Sequence, residues 1–465
     1  MTRSSRIALG IWAAITLMVA ASVLAIYLWQ GTAGLNLFIQ HWPLTDLPTA
    51  LASVTLTWLL AGLFLYLLQA GRITKSNVLA VSGFFIVCWT YLNFLREHFR
   101  YGDYTYYLEA ATALFNHQHL PDTYFYPPFW ATLLQYIAPL GDEPFLLVLW
   151  LLNFFSLMAF FVLLLRVLER YGFSPRLAAL TTTLFMLVNT PLLRTLDYVQ
   201  VNIHTLNFIF LSLLLYPKRP FLSALMMAIA VHLKSSPAVL ALAFLSEKDW
   251  RWLAWFGLNV VLIGLITVAT NGVTPFFDYL QNIQWLAVSK DAIFHDTSFD
   301  SFLRFIGPYL HLSSSAIHLL IYAAKALLGA ATLFVMAQCV RAQTFFQSEE
   351  RGARLLNAMP PLFVLMTLAS PIVWEHHGIF TALAFLLMLK KIEAPSEWMW
   401  FGFAYFLEFI LPTFDFFPWS YGRLVAPLIG LWLMWSTSKH AEPSSIFSKW
   451  NSFFQNGFLT LQTSE

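Results

Sequence analysis

Residues 144–166 read PFLLVLWLLNFFSLMAFFVLLLR, an apolar run that only Asn153 and Ser156 interrupt before it closes on Arg166. At 1.5 Å per residue, a helix of this length spans the roughly 30 Å hydrocarbon core of a bilayer. Similar runs lie at 7–29, 49–70, 78–95, 252–270 and 313–338. Shorter or interrupted ones lie at 177–194, 201–216, 221–233, 237–246, 355–369, 378–391, 398–411 and 424–437. The pattern predicts an all-α polytopic membrane protein with about 14 transmembrane helices. Composition agrees. Of 465 residues, 59% are hydrophobic and 11% charged, where soluble domains carry roughly 25% charge, and the mean hydropathy is +0.66. These values exclude a soluble enzyme and a disordered chain. A net charge of +2 offers no basic surface for nucleic acid. Cys88 and Cys339, far apart in apolar runs, exclude a disulfide scaffold and a cysteine-built zinc site. The 18 Trp and 18 Tyr favour the two membrane–water interfaces.

Thr2-Arg3-Ser4-Ser5-Arg6 precedes the first run as in a signal peptide. That run exceeds a usual signal core, so it reads as an uncleaved helix. Eighteen of the 26 Lys and Arg fall on the side of the N-terminus, which the positive-inside rule assigns to the cytoplasm. An even number of crossings returns the C-terminus there. Cytoplasmic connections such as 71–77 and 217–220 are short and basic. The exoplasmic ones, 30–48, 96–143, 271–312, 370–377 and 412–423, are longer. They hold Asp103, Asp122, Asp278, Asp291, Asp296, Asp300, Glu375 and Asp415, and Asp197 lies on the same side between the runs 177–194 and 201–216. Long polar loops carry function more often than short connectors, so any chemistry is expected outside the cytoplasm. No repeat, linker or appended soluble domain is evident. The chain divides into an N-terminal helix pair (1–77), a membrane domain (78–438) and a cytoplasmic amphipathic or disordered end (439–465).

The stretch 96–143 is the most informative. It opens Arg96-Glu97-His98-Phe99-Arg100-Tyr101-Gly102-Asp103-Tyr104, which puts Asp103 where the chain leaves the bilayer. Residues 105–118 read as a short interfacial helix with Leu108, Ala111, Leu114 and Phe115 on one face. Tyr124-Phe125-Tyr126-Pro127-Pro128-Phe129-Trp130 follows, where two prolines end any preceding helix. Residues 129–139 are apolar but too short to cross, and suit a re-entrant or interfacial helix.

An acidic residue just after an early span, followed by interfacial helices in the first long loop, resembles the GT-C membrane glycosyltransferases. Tyr126-Pro127-Pro128 narrows the resemblance to glycosyltransferase family 87, the polyprenol-phosphate-mannose-dependent α-mannosyltransferases. Four further segments fit in order. Asp197-Tyr198-Val199-Gln200-Val201-Asn202 resembles the family's Gly-Gln-x-Asn element, with Val199 replacing the glycine. Lys234-Ser235-Ser236-Pro237 resembles its Lys-x-x-Pro break. Thr297-Ser298-Phe299-Asp300-Ser301-Phe302-Leu303-Arg304 resembles its Gln-Ser-Leu…Arg stretch, with Thr297 in place of Gln. Ser370-Pro371-Ile372-Val373-Trp374-Glu375-His376-His377 resembles its Ser-Pro-x-x-Trp-x-His-His element.

The resemblance implies a GT-C fold with exoplasmic interfacial helices. It also implies transfer of a hexose, mannose above others, from a polyprenyl-phosphate sugar donor to an envelope glycan or glycolipid acceptor. The reaction would be a single inverting displacement at the exoplasmic face of the inner (plasma) membrane. Asp103 is the expected general base. Lys234, Arg304, His376 and His377 are the candidates to neutralise the departing phosphate. Tyr126, Gln200, Asn202 and Trp374 are candidate substrate contacts. Neither metal nor cofactor is expected; the chain has no Asp-x-Asp, and His117-x-His119 reads as loop.

Plainer readings stand beside these. Lys234 could snorkel to the interface, Arg304 could anchor a helix end, and the two histidines could cap one. Asn207 suits helix–helix hydrogen bonding. Lys325, mid-run, is costly unless paired or lining a cavity. Lys325 and the break within 221–246 leave a transporter or lipid flippase as the rival reading; an inactive subunit on the same fold is a third.

Overall fold

The computed structural model describes residues 3–39, 47–74, 76–98, 102–289, 296–348, 350–413, 417–439 and 442–456. Phe99-Arg100-Tyr101, Asp291 and Asp415 lie outside them. Secondary structure among the described residues is helical. The chain opens with α1 (Arg3–Ile39), α2 (Leu47–Gln69) and α3 (Val78–His98). Two short helices follow, α4 (Tyr104–Phe115) and α5 (Pro128–Leu134), and then the long α6 (Asp142–Arg170). Next come α7 (Pro175–Leu187), α8 (Thr190–Asp197), α9 (Asn202–Leu215), α10 (Pro220–Leu233) and α11 (Ala241–Ser246). After α12 (Trp250–Asn271) the chain forms α13 (Thr274–Ser289), α14 (Phe299–Ile306), α15 (Ser314–Arg341) and α16 (Ala353–Leu368). It ends with α17 (Ala382–Met388), α18 (Pro395–Tyr405), α19 (Gly422–Thr437) and α20 (Ser445–Asn456).

Each apolar run of the sequence coincides with helix. Among the described residues, four helices are long and apolar enough to cross a membrane: Leu9–Gly31 within α1, α6, α12 and α15. The pair α7–α8, bent by 62°, makes a fifth if it is one span. Helices α9, α10 and α16 are apolar but shorter. Local sequence explains the boundaries. Prolines sit in the first turns of α5, α7, α8, α10 and α18, where no amide partner is lost. Asn189, Asp249, Ser298 and Ser313 cap the helices that follow them by accepting a backbone N–H.

Helices α9, α10, α16 and α17 contribute heavily to the buried core. Helix α16 is buried from Leu355 to Leu368, so its apolar character on every side there is what its position requires. Helix α1 lies at the periphery, held to α2 by Trp12 stacked on Trp58 at 6.1 Å. Beyond Ser438 the chain forms an amphipathic helix. Phe447 of α20 packs on Phe173 at 4.9 Å, and Asn451 accepts from the Ser174 N–H at 2.6 Å. Lys325 is paired: its Nζ lies 2.6 Å from Asp300 Oδ1. That pairing supplies the partner that a lysine within an apolar helix needs.

Candidate active site

A cavity of about 200 Å³ is lined by Asp103, Tyr106, Tyr126, Lys234, Trp374, His376 and His377, among others. Five separate segments deliver these side chains. Asp103 sits just before α4, and Tyr126 just before the proline start of α5. Lys234 ends α10 at the Pro237 break. Trp374, His376 and His377 belong to a 3₁₀ turn and its entry. Ile283 and Leu286 of α13 add apolar wall.

Gly102 sets the place of Asp103. A Cβ there would lie 2.5 Å from the Tyr198 Cα, so only glycine lets the two strands of backbone meet. The Asp103 N–H then donates to the Tyr198 carbonyl at 3.1 Å. The Asp103 carboxylate, 7% exposed, accepts from Gln200 Nε2. The Tyr126 hydroxyl lies 3.0 Å from Asp103 Oδ2 and 2.8 Å from Gln200 Oε1. Burial raises the Asp103 pKa above the ordinary carboxylate range, while these hydrogen bonds and the Lys234 charge act against the rise.

Lys234 forms the second half of the site. Its Nζ donates to Asn202 Oδ1 at 2.9 Å and sits 5.3 Å from the centre of the Phe380 ring. Burial lowers its pKa, and Asp103 opposes the fall. Asn202 Nδ2 donates to the His376 carbonyl at 3.1 Å, so one amide holds both Lys234 and the histidine turn. Burial and then Lys234 depress the His376 pKa, which leaves a neutral imidazole. His377 Nδ1 accepts from the Trp374 N–H at 2.8 Å, which puts the His377 ring proton on Nε2.

Glu375 fastens the histidine turn from behind. Its carboxylate lies 3.1 Å from Arg194 Nε and 3.0 Å from an Arg423 NH group. Arg194 also pairs with Asp197 at 3.2 Å, beside the turn that carries Gln200. Arg194 therefore ties the Gln200 turn to the histidine turn. Elsewhere, residues 296–298 lie against 371–373. The Thr297 N–H donates to the Val373 carbonyl at 2.7 Å, and the Val373 N–H donates to Asp296 Oδ1 at 2.8 Å.

The structure thus brings together Asp103, Tyr126, Lys234, Trp374, His376 and His377. Gln200 and Asn202 are fully buried, and their amides are engaged by Asp103, Tyr126, Lys234 and the His376 carbonyl, so they act through those groups. Arg304 is on α14, outside the cavity lining, where its charge acts on Asp300. The sequence reading did not anticipate Arg194, Glu375 and Arg423 as a unit. Acids and bases on successive loops of one face were the available signal.

Val199 occupies the left-handed region, with φ 54°, at the position where the resembling element has glycine. For a residue with a Cβ this costs about 1–2 kcal/mol, although Val199 is also 3% exposed and gains from burial. Val199→Gly is therefore expected to be more stable than Val199→Ala by about 1 kcal/mol, since both lose the buried side chain and only one relieves the strain. The opposite order in thermal unfolding would show that the backbone relaxes at no cost.

Buried helices too apolar for water, enclosing a polar cleft with a carboxylate and a lysine, are the architecture of a polytopic membrane protein that does chemistry. Compared with protein-family models, residues 124–371 match glycosyltransferase family 87, and the chain belongs to that family. It is accordingly a membrane glycosyltransferase. The match contains Tyr126, Gln200, Asn202, Lys234 and Arg304; Asp103, Trp374, His376 and His377 flank it. No curated protein and no solved structure matches the chain.

Proposed function

We propose that the protein transfers a hexose, mannose first among them, from a polyprenyl-phosphate donor to an envelope glycan or glycolipid. The site would face the exoplasm of the inner membrane, on a GT-C fold with about 14 crossings and both termini cytoplasmic. The observation that carries this reading is the pairing of Asp103 and Lys234 across one small cavity. Asp103 takes the proton of the acceptor hydroxyl as that oxygen bonds to the anomeric carbon. The bond from that carbon to the phosphate oxygen breaks, and the electron pair leaves with the polyprenyl phosphate. Attack opposite the leaving group inverts the anomeric centre. Lys234 balances the charge gathering on the phosphate, and the neutral His376 and the Nε2–H of His377 are hydrogen-bond donors for it. A low-dielectric cleft strengthens each of these interactions.

The transporter reading drew on Lys325 and the break within 221–246. Lys325 has Asp300 as its partner, and the break delivers Lys234 to the cavity. The break then serves the proposed transferase, and the Lys325 charge is balanced by its partner.

The test is transfer in nanodiscs from labelled polyprenyl-phosphate mannose into a lipid extract of the source cells. Labelled product from wild type, and none from Lys234→Ala, is the expected outcome. Failure of every polyprenyl-phosphate sugar to yield product, together with movement of labelled lipid between leaflets, would replace the transferase by the flippase.

A further inference from the structure

Tyr104, Tyr106, Tyr107, Tyr124 and Tyr126 follow Asp103 in sequence, and the structure separates them by what their rings meet. Tyr104, Tyr107 and Tyr124 are buried, and the Tyr126 hydroxyl is held at Asp103 and Gln200. Tyr106 is 38% exposed and lines the cavity. It lies in the first turn of α4, three residues after Asp103, and both residues line the same cavity. Phe125 lines the same cavity, next in sequence to the tyrosine that binds Asp103. Its ring lies parallel to Trp285 of α13, 6.5 Å away and 4° from coplanar.

The two groups of lining residues differ in chemistry. Lys234, His376 and His377 suit an anion. Tyr106 and Phe125, with Thr123 between them in sequence, carry no charge and suit a neutral ring that can show an apolar face. A pyranose is such a ring: the C–H bonds on one of its faces meet the electron-rich face of an aromatic side chain, while its hydroxyls stay free to react. We propose that Tyr106 and Phe125 form the acceptor subsite, a platform that holds a neutral pyranose with a hydroxyl toward Asp103, and that Trp285 keeps the Phe125 ring in place. The assignment rests on the transferase reading. It adds that the acceptor is recognised as a sugar, not through a charged headgroup.

The test uses hexyl glycosides of mannose, glucose and galactose as acceptor probes, with wild type, Tyr106→Ala, Tyr106→Phe and Phe125→Ala in nanodiscs. Acceptor KM with polyprenyl-phosphate mannose is measured beside binding of the same probes by saturation-transfer NMR, which needs no turnover. Each alanine variant is expected to raise acceptor KM and to weaken probe binding about tenfold, with donor KM unchanged and Tyr106→Phe close to wild type. Probe binding that depends on Tyr106, without transfer by wild type, would sink the transferase reading and leave the sugar platform standing. No probe bound by wild type, or binding and acceptor KM indifferent to both alanine variants, would overturn the platform itself.

Discussion

Asp103→Asn is expected to lose turnover by about 10²–10⁴-fold while remaining folded and at least as stable as wild type. Asparagine keeps the volume and can still accept from Tyr126 and Gln200, so the cavity stays in place and only the base disappears. The stability part follows from the sign of the pKa shift. Burial raises the Asp103 pKa, so folding disfavours the ionised form at neutral pH, and a neutral amide removes that cost. The same shift fixes the pH profile. The base works ionised, so kcat/KM falls as pH drops through the raised pKa, on a limb above the ordinary aspartate value of about 3.9. Transfer rates and thermal unfolding of the two proteins, measured side by side, check both halves. A variant that keeps turnover would remove Asp103 from the base role; one that loses turnover by unfolding would leave the loss without chemical meaning.

Glu375→Ala carries the largest expected cost in stability, about 3–5 kcal/mol. Arg423 is 5% exposed, and Glu375 balances its charge at 3.0 Å. Removing the carboxylate leaves that guanidinium buried beside the carbonyls of Glu408 and Leu411, with the Glu408 carboxyl as a remaining acidic group that acts on it. Arg194 suffers less, because its side chain is one-third exposed and keeps Asp197. A double variant, Glu375→Ala with Arg423→Met, should cost less than the sum of the single changes, since the stranded charge goes with its partner. Unfolding curves in detergent measure all three. Near-wild-type stability for Glu375→Ala would show that water or the Glu408 carboxyl balances Arg423 in its place.

The helices were legible because a bilayer demands apolar runs of fixed length. Residues 144–166 became Asp142–Arg170, and 252–270 became Trp250–Asn271. That Asp103, Lys234, His376 and His377 belong together was legible because their motifs fell in order, and all four line one cavity. What sequence concealed was the difference between a side chain that faces the cavity and one that holds it. Gln200 and Asn202 looked like sugar ligands, since an amide suits either task; in the structure they are buried and hydrogen-bonded to Asp103, Lys234 and the His376 carbonyl. Arg304 looked like Lys234, yet α14 carries it away from the cavity. Glu375 looked like a neighbour of two histidines. Its partners are 181 and 48 residues distant, and no local pattern couples positions so far apart. The tyrosines around Asp103 were similarly alike until their packing distinguished them.

The Arg194–Glu375–Arg423 link also bears on how the protein is born. Ribosomes add about 5–20 residues per second, so on the order of ten to fifty seconds separate the emergence of Arg194 from that of Arg423. For most of that interval Asp103, Gln200 and Lys234 have been synthesised, but the turn that completes their cleft has not. Nascent helices with exposed polar groups are the kind of client that insertion machinery must shield from lipid. Substitutions at Arg194 or Glu375 are then expected to act first on yield, through quality control of unfinished chains, before any finished enzyme can be assayed.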